Sequence, residues 1–239
     1  MQIRYFQKGF NYSQDGPGNR LVIHLQGCNL HCPWCSNPEG INGHGGKIIS
    51  TDDLLEEIVS CKRLFFDNGG VTFTGGECTL QKDALQEILK GCKQNGIHTA
   101  IETNGTCPYD NELFENIDII ICDFKHYDQE KLAEWVGQVR DYQKNIADYI
   151  KSGIPVLIRI VLINGFNSEK SDAMKFAEFF QNLPTKNTMF EFLPYHEYGK
   201  SKWEKLGKEY TMANAFVPQD SVKLFEEIFK SYHLKSIRS

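Results

Sequence analysis

No apolar run in this sequence of 239 residues is long enough to cross a bilayer. The longest, such as Val156 to Ile163, is interrupted by Arg159 and falls well short of the roughly 20 residues that a spanning helix needs. Met1 to Phe10 shows no apolar h-region of a secretory leader, so the expected compartment is the cytoplasm and no membrane partner is expected. Positive charge is also in short supply. Lys plus Arg number 26 against 31 Asp plus Glu, a formal charge of -5, and no basic tract advertises nucleic acid. There is no low-complexity tract, and no second cysteine cluster. After Cys35 the next cysteine, Cys61, stands alone, and none follows Cys122. A disulfide framework is thus not expected in a chain large enough to build its own core, and the eight cysteines read as reduced thiols and metal ligands.

What the chain does have is Gly27-Cys28-Asn29-Leu30-His31-Cys32-Pro33-Trp34-Cys35, three cysteines within eight residues directly after the apolar run Leu21 to Leu25. Thiolates this close can chelate one centre, and sulfur ligation of this kind suits zinc or an iron-sulfur cluster. A structural zinc site would be closed by a fourth ligand, which is missing here; His31 adjoins Cys32 and could serve only awkwardly. A 4Fe-4S cluster on three cysteines leaves one iron open for a substrate or cofactor. The zinc or plain-thiol alternative stays open on the cysteines alone. Cys61, Cys92, Cys107 and Cys122 read as buried or half-buried packing residues, and Cys78 as packing before any contact with the site.

Taken in order, residues 1-19 form an N-terminal segment ending in the turn Asp15-Gly16-Pro17-Gly18-Asn19. Arg20 opens a strand to about Gln26, and Ser36 to Ser50 reads as a surface loop. Thr51-Asp52-Asp53 caps a helix with Leu54, Leu55, Ile58 and Val59 on one face. Further strands are expected at Val71 to Phe73, Ile97 to Glu102, Ile117 to Cys122, Val156 to Ile163 and Phe190 to Leu193, with a helix ending near Asn95 before Gly96. Strands separated by amphipathic helices make a right-handed parallel array. The expected fold is α/β, a single domain built as a partial (β/α)6 TIM-type barrel with parallel strands. Six βα units would fill 20-195, and a C-terminal extension with a helix would fill 196-239. The polar clusters fall at the C-terminal strand ends, where parallel α/β folds collect their active sites.

Gly75-Gly76-Glu77 at one strand end would let backbone approach a ligand closely while the carboxylate accepts from an amine; alone it would be a tight turn. Glu102, Thr103 and Asp123 put oxygen ligands at neighbouring strand ends, where carboxylates repel each other unless a cation or a donor such as Lys125 intervenes. Arg159, inside an apolar strand, needs an anionic partner if buried.

The spacing Cys28-x3-Cys32-x2-Cys35, with Trp34 before the last cysteine, resembles the signature of the radical S-adenosylmethionine (radical SAM) enzymes. Asp15-Gly16-Pro17-Gly18 with Arg20, and Leu193-Pro194-Tyr195-His196 followed by Gly199-Lys200, Lys202-Trp203 and Leu206-Gly207, resemble the marks of one branch, the glycyl radical enzyme activating enzymes. That resemblance covers nearly the whole chain. It implies one 4Fe-4S cluster on Cys28, Cys32 and Cys35, whose open iron takes the amino and carboxylate groups of S-adenosylmethionine. It implies cofactor contacts from Trp34, Asn37, Gly75, Gly76, Glu77, Arg159 and His196, with Lys125 as a donor on the cofactor side. Glu102, Thr103 and Asp123 resemble the strand ends that hold a monovalent cation, Na+ or K+, beside the cofactor carboxylate. The implied reaction is one-electron cleavage of the cofactor to methionine and a 5′-deoxyadenosyl radical, which takes a Cα hydrogen from a glycine of a partner glycyl radical enzyme. Asp15, Gly16, Pro17 and Gly18, with His196, would contact that partner loop. A flavodoxin- or ferredoxin-type protein would supply the electron to a monomeric enzyme.

Cys35-Ser36-Asn37-Pro38-Glu39 resembles the activases of dehydratases and decarboxylases, yet the ferredoxin-like insert those carry after this point is missing. The compact build is instead similar to that of formate-lyase activases. A radical SAM enzyme acting on a free small molecule, and a zinc or redox module, are the rivals.

Overall fold

The computed structural model describes residues 1-238. Two compact units divide the chain: one takes Met1–Asn29 with Asn37–Ile121, the other Leu30–Ser36 with everything from Cys122 on.

In the first unit the strand order is β3-β1-β2-β4-β5, with β1 Gln2–Tyr12, β2 Asn19–Leu25, β3 Lys47–Ser50, β4 Gly70–Gly75 and β5 His98–Thr103. β2, β4 and β5 run parallel, in the registers Arg20↔Gly70 to Leu25↔Gly75 and Gly70↔His98 to Phe73↔Ile101. Leu21, Ile23, Leu25, Val71, Phe73, Ala100 and Ile101 are buried there, as continuous apolar runs in parallel strands require. α1 Thr51–Ser60 starts at the N-cap Ser50, whose hydroxyl accepts from the Asp53 amide. α2 Lys82–Gln94 buries Ala84, Leu85, Ile88, Leu89 and Cys92, an i, i+3/i+4 stripe, and ends before Gly96 at φ +61°. Asn111–Phe114 is a single turn, α3.

Two expectations for this unit are corrected. Residues 1-19 are not merely a segment with a turn: β1 pairs antiparallel with both β2 and β3. A bulge between Tyr5 and Gln7 breaks the alternation that would have announced the strand, and only Ile3 and Tyr5 point into the core. Ser36 to Ser50 is not all loop, since it holds a 3-10 turn at Pro38–Gly40 and β3 at its end. The Asp15-Gly16-Pro17-Gly18 turn joins β1 to β2, at the end of β2 opposite the cysteines. Seven extended residues make that roughly 20 Å of strand.

β6, Ile119–Asp123, carries the chain out of the first unit, with Ile120 to Cys122 buried as a two-faced strand should be. In the second unit β7 Val156–Leu162 pairs in parallel with β8 Thr188–Pro194, and β8 with the short β9 Ser236–Ile237. The helices are α4 Gln129–Val136, α5 Tyr142–Lys151, α6 Lys170–Gln181, α7 Lys200–Lys205 and α8 Ser221–Ser231. An aromatic core joins α6 and α8 to β8: Phe180 lies 4.7 Å from Phe190 and Phe192 4.7 Å from Phe229, both edge to face. No helix among the described residues is long and apolar enough to cross a membrane.

Candidate active site

The cysteine loop leaves the C-terminal end of β2. In the first unit, Gly27 N–H donates to Gly40 O (2.8 Å) and Cys28 N–H to Ile41 O (3.1 Å), so the returning 3-10 turn braces the loop's first half. β4 crosses the same point. Gly76 N–H donates to Leu25 O (3.0 Å) and Glu77 N–H to Gly27 O (2.7 Å). A Cβ on Gly75, which sits at φ +119°, would fall 2.3 Å from Leu25 N, and one on Gly76 would fall 2.2 Å from Gly27 O. The two glycines therefore admit close backbone approach, as expected, but what approaches in this structure is the chain itself, just ahead of Cys28.

Glu77 is fully buried, and four donors already satisfy its carboxylate. Oε1 accepts from Thr79 N–H (3.1 Å), Thr79 Oγ1 (2.6 Å) and Thr103 Oγ1 (3.0 Å), and Oε2 from Asn104 N–H (2.7 Å). Burial pushes this carboxyl above its ordinary value, while the donors hold it down. Glu77 thus ties the end of β4 to the segment after β5. Glu102 accepts from Thr74 Oγ1 (2.7 Å), and the Cys78 thiol, which burial raises well above its usual range, points at Glu102 O (3.4 Å). Asn104 completes this side: its Nδ2 reaches Asn29 Oδ1 (2.9 Å) and Cys28 Sγ (3.8 Å).

In the second unit, Cys35 N–H donates to Cys32 O (3.1 Å), a tight turn around Pro33-Trp34. The Trp203 indole donates to Cys35 O (2.9 Å). Gly199 lies against the same carbonyl, where a Cβ would come within 2.4 Å. Trp34 packs on Phe166 (5.1 Å) and Trp135 (6.1 Å). Lys125 Nζ meets Asp123 Oδ2 at 2.8 Å, the donor expected beside that carboxylate. Burial would lower this lysine's pKa, but Asp123, Cys32 and Tyr142 outweigh it and hold it well above the ordinary value. Arg159 Nε meets the buried Glu191 Oε2 at 2.7 Å on the paired strand, so the half-buried arginine has its anionic partner. His196 stacks on the exposed Tyr198 at 4.0 Å, and burial lowers its pKa.

Within the first unit, Asp15, Gly16, Pro17 and Gly18 lie at the other end of β2 from Cys28. Asp15 accepts from Asn11 Nδ2 (2.5 Å), and Gly18 packs where a Cβ would strike Asp67 O at 2.3 Å. Arg20 is wholly buried and donates to Pro17 O (3.2 Å), Val71 O (2.6 Å) and Thr72 Oγ1 (2.6 Å). Its pKa falls to about 10 through burial, against the pull of Asp118, Asp15 and Glu102. Arg20 thus clamps the turn from within. Asn37 N-caps the 3-10 turn, and its carbonyl accepts from Gly40 N–H (3.0 Å).

Asn104, Trp203, Gly199 and Gly40 were not singled out from the sequence by role. Gly199 and Trp203 belong to the C-terminal signature, but nothing in a one-dimensional pattern tells which cysteine they, or Asn104, face.

The model of the Radical SAM superfamily matches residues 22–177, and the chain belongs to that superfamily. Its similarity within the superfamily is narrower. It is 32% identical over 225 residues, 91% of each chain, to pyruvate formate-lyase 1-activating enzyme of Escherichia coli K12. It is 38% identical over 206 residues, covering 83% of this chain and 84% of the relative, to pyruvate formate-lyase-activating enzyme of Clostridium pasteurianum. A crystal structure of a domain of the corresponding Bacteroides vulgatus protein superposes with a TM-score of 0.59 at 28% identity, covering 72% of this chain and 99% of that one. The chain is a glycyl radical enzyme activating enzyme, an α/β protein with a mostly parallel sheet that uses a 4Fe-4S cluster and S-adenosylmethionine.

The donor set suits that cluster. Cys28, Cys32 and Cys35 are all half-exposed thiols outside any disulfide. Among the described residues no three His, Cys, Asp or Glu side chains gather as one metal ion would need. A cluster sets no such demand, because each cysteine binds its own iron.

Proposed function

We propose that this enzyme activates a pyruvate formate-lyase, with Cys28, Cys32 and Cys35 as the ligands of its cluster, within one radical SAM domain. The observation that carries the assignment is the three-cysteine loop at the C-terminal end of β2, braced by Gly40, Gly76 and Trp203. A 4Fe-4S cluster held by Cys28, Cys32 and Cys35 would supply the one electron for reductive cleavage of S-adenosylmethionine, the chemistry by which a hydrogen would be removed from a glycine Cα of the partner. The chain's own residues orient and shield. Gly75, Gly76 and Glu77, together with Trp34, Asn37, Arg159 and His196, are the residues that the resemblance supports as cofactor contacts. Glu102, Thr103 and Asp123 are offered as oxygen ligands of a monovalent cation on the strength of the resemblance, and Lys125 pairs with Asp123. Asp15 to Gly18, clamped by Arg20, offer a rigid turn to the incoming loop of the partner. Exclusion of water and of stray C–H bonds is the protein's main service to a primary carbon radical. The enzyme works as a cytoplasmic monomer fed by a flavodoxin- or ferredoxin-type donor.

The test is anaerobic reconstitution with iron and sulfide, reduction with S-adenosylmethionine, and assay of 5′-deoxyadenosine in wild type and Cys32→Ala. A glycyl radical is then sought by electron paramagnetic resonance after adding pyruvate formate-lyase. Cluster-dependent product with a glycyl radical supports the proposal. Product that responds to a metabolite but never to the protein partner would replace it with the small-molecule reading, and one zinc without iron would end both.

A further inference from the structure

Asn104 is set against Cys28 by a closed ring of hydrogen bonds. Its Oδ1 accepts from Thr106 N–H (3.1 Å) and Thr106 Oγ1 (2.7 Å), which decides the orientation of the amide. The Nδ2 end therefore faces the cysteine loop, giving one N–H to Asn29 Oδ1 (2.9 Å) and the other to Cys28 Sγ (3.8 Å). Asn29 Nδ2 closes the ring on Thr106 Oγ1 (2.8 Å). The backbone of Asn104 is pinned in turn by the buried Glu77 carboxylate (2.7 Å). Asn104 as a residue is 7% exposed, so water does not compete freely for this contact.

We infer that Asn104 sets the reduction potential of the cluster by donating a hydrogen bond to the Cys28 sulfur. The inference rests on Cys28 being a cluster ligand. A donor on a ligand sulfur stabilises whichever redox state holds more negative charge there, and the reduced cluster holds one electron more. Asn104 accordingly favours reduction, the step that must come before cofactor cleavage. It is a positioning and tuning residue, since it touches a ligand and not the reacting atoms.

The experiment is a redox titration of the reconstituted holoenzyme without cofactor, followed by electron paramagnetic resonance. Asn104→Ala removes the donor. Asn104→Asp keeps an acceptor for Thr106 and turns a carboxylate oxygen toward the sulfur. With full iron and sulfide retained, Asn104→Ala is expected to shift the one-electron equilibrium toward the oxidised state about tenfold, which is about 59 mV. Asn104→Asp is expected to shift it further. Thr106→Val, which leaves Nδ2 in place, should move the midpoint less than either. Midpoints equal to wild type in both Asn104 variants would overturn the inference. A wild-type measurement stands independently of variant folding: protein labelled with side-chain 15N-asparagine should show a 15N coupling to the reduced cluster in pulsed resonance, and its absence overturns the inference as well. Wild type that takes up no cluster would defeat the assignment of Cys28 itself, a different failure from an unmoved midpoint.

Discussion

Replacing Gly76 with alanine tests the crossing of β4 over the root of the cysteine loop. The added Cβ would lie 2.2 Å from Gly27 O, 2.6 Å from Gly27 C and 2.7 Å from Gly40 O. All three atoms are backbone, so no flexible side chain can swing aside, and one strand end must retreat by most of an ångström. The retreat strains the Glu77 N–H bond to Gly27 O (2.7 Å) and the Gly27 N–H bond to Gly40 O (2.8 Å). Gly76 is not in the left-handed region, so alanine suffers no backbone penalty of its own and the collision is isolated. Overpacking of this kind costs about 1–3 kcal/mol, with about 1 more for a weakened hydrogen bond. For a chain of this size a loss near 3 kcal/mol lowers the melting temperature by about 6–12 °C. Differential scanning calorimetry of the apoprotein reads this directly, and iron content after reconstitution reads the displacement of Cys28. Gly43→Ala is the control, since a Cβ there meets nothing within 4 Å. A Gly76→Ala protein that melts within about 2 °C of its parent and fills with iron normally would refute the close crossing.

Trp203→Phe keeps the ring and deletes the donor to Cys35 O, a loss of about 1 kcal/mol. We expect the holoenzyme to lose iron to a chelator several-fold faster while the apoprotein melts about 2–4 °C lower; equal iron loss would show that the indole bond does not steady Cys35. Acidification should reveal His98, whose pKa is depressed below 6.5 by burial and by Arg20 at 3.3 Å, with Asp118 opposing. A depressed histidine contributes stability that is fully present above its unfolded value and is lost as pH falls through its folded value. Melting temperature should therefore fall between pH 7 and 5, and His98→Gln should flatten that slope; an unchanged slope would mean that other groups control acid stability.

The strands β4 to β8 could be read from the chain because burial leaves runs dominated by apolar residues, unbroken from Ile119 to Cys122 and interrupted by Arg159 alone from Val156 to Leu162. β1 could not. Its bulge and its exposed half scramble the period of two, and β3 is short and half polar. The cysteines were legible because ligand spacing is local. Asn104 and Trp203 were not, because they reach the same loop across 76 and 168 residues, and only the folded chain shows which atom each one meets. Arg159 shows an intermediate case: its need for an anion followed from its apolar strand, but Glu191 became visible only through the register of β7 with β8.

The satisfied carboxylate of Glu77 has a practical consequence for anyone who scores alleles by activity. A substitution there severs Thr79, Thr103 and Asn104 at once, and through Asn104 it reaches Cys28. A dead Glu77 variant would look like a failure to hold the cofactor even if every cofactor contact survived. Such an allele can be interpreted only alongside the iron content and melting behaviour of the same protein.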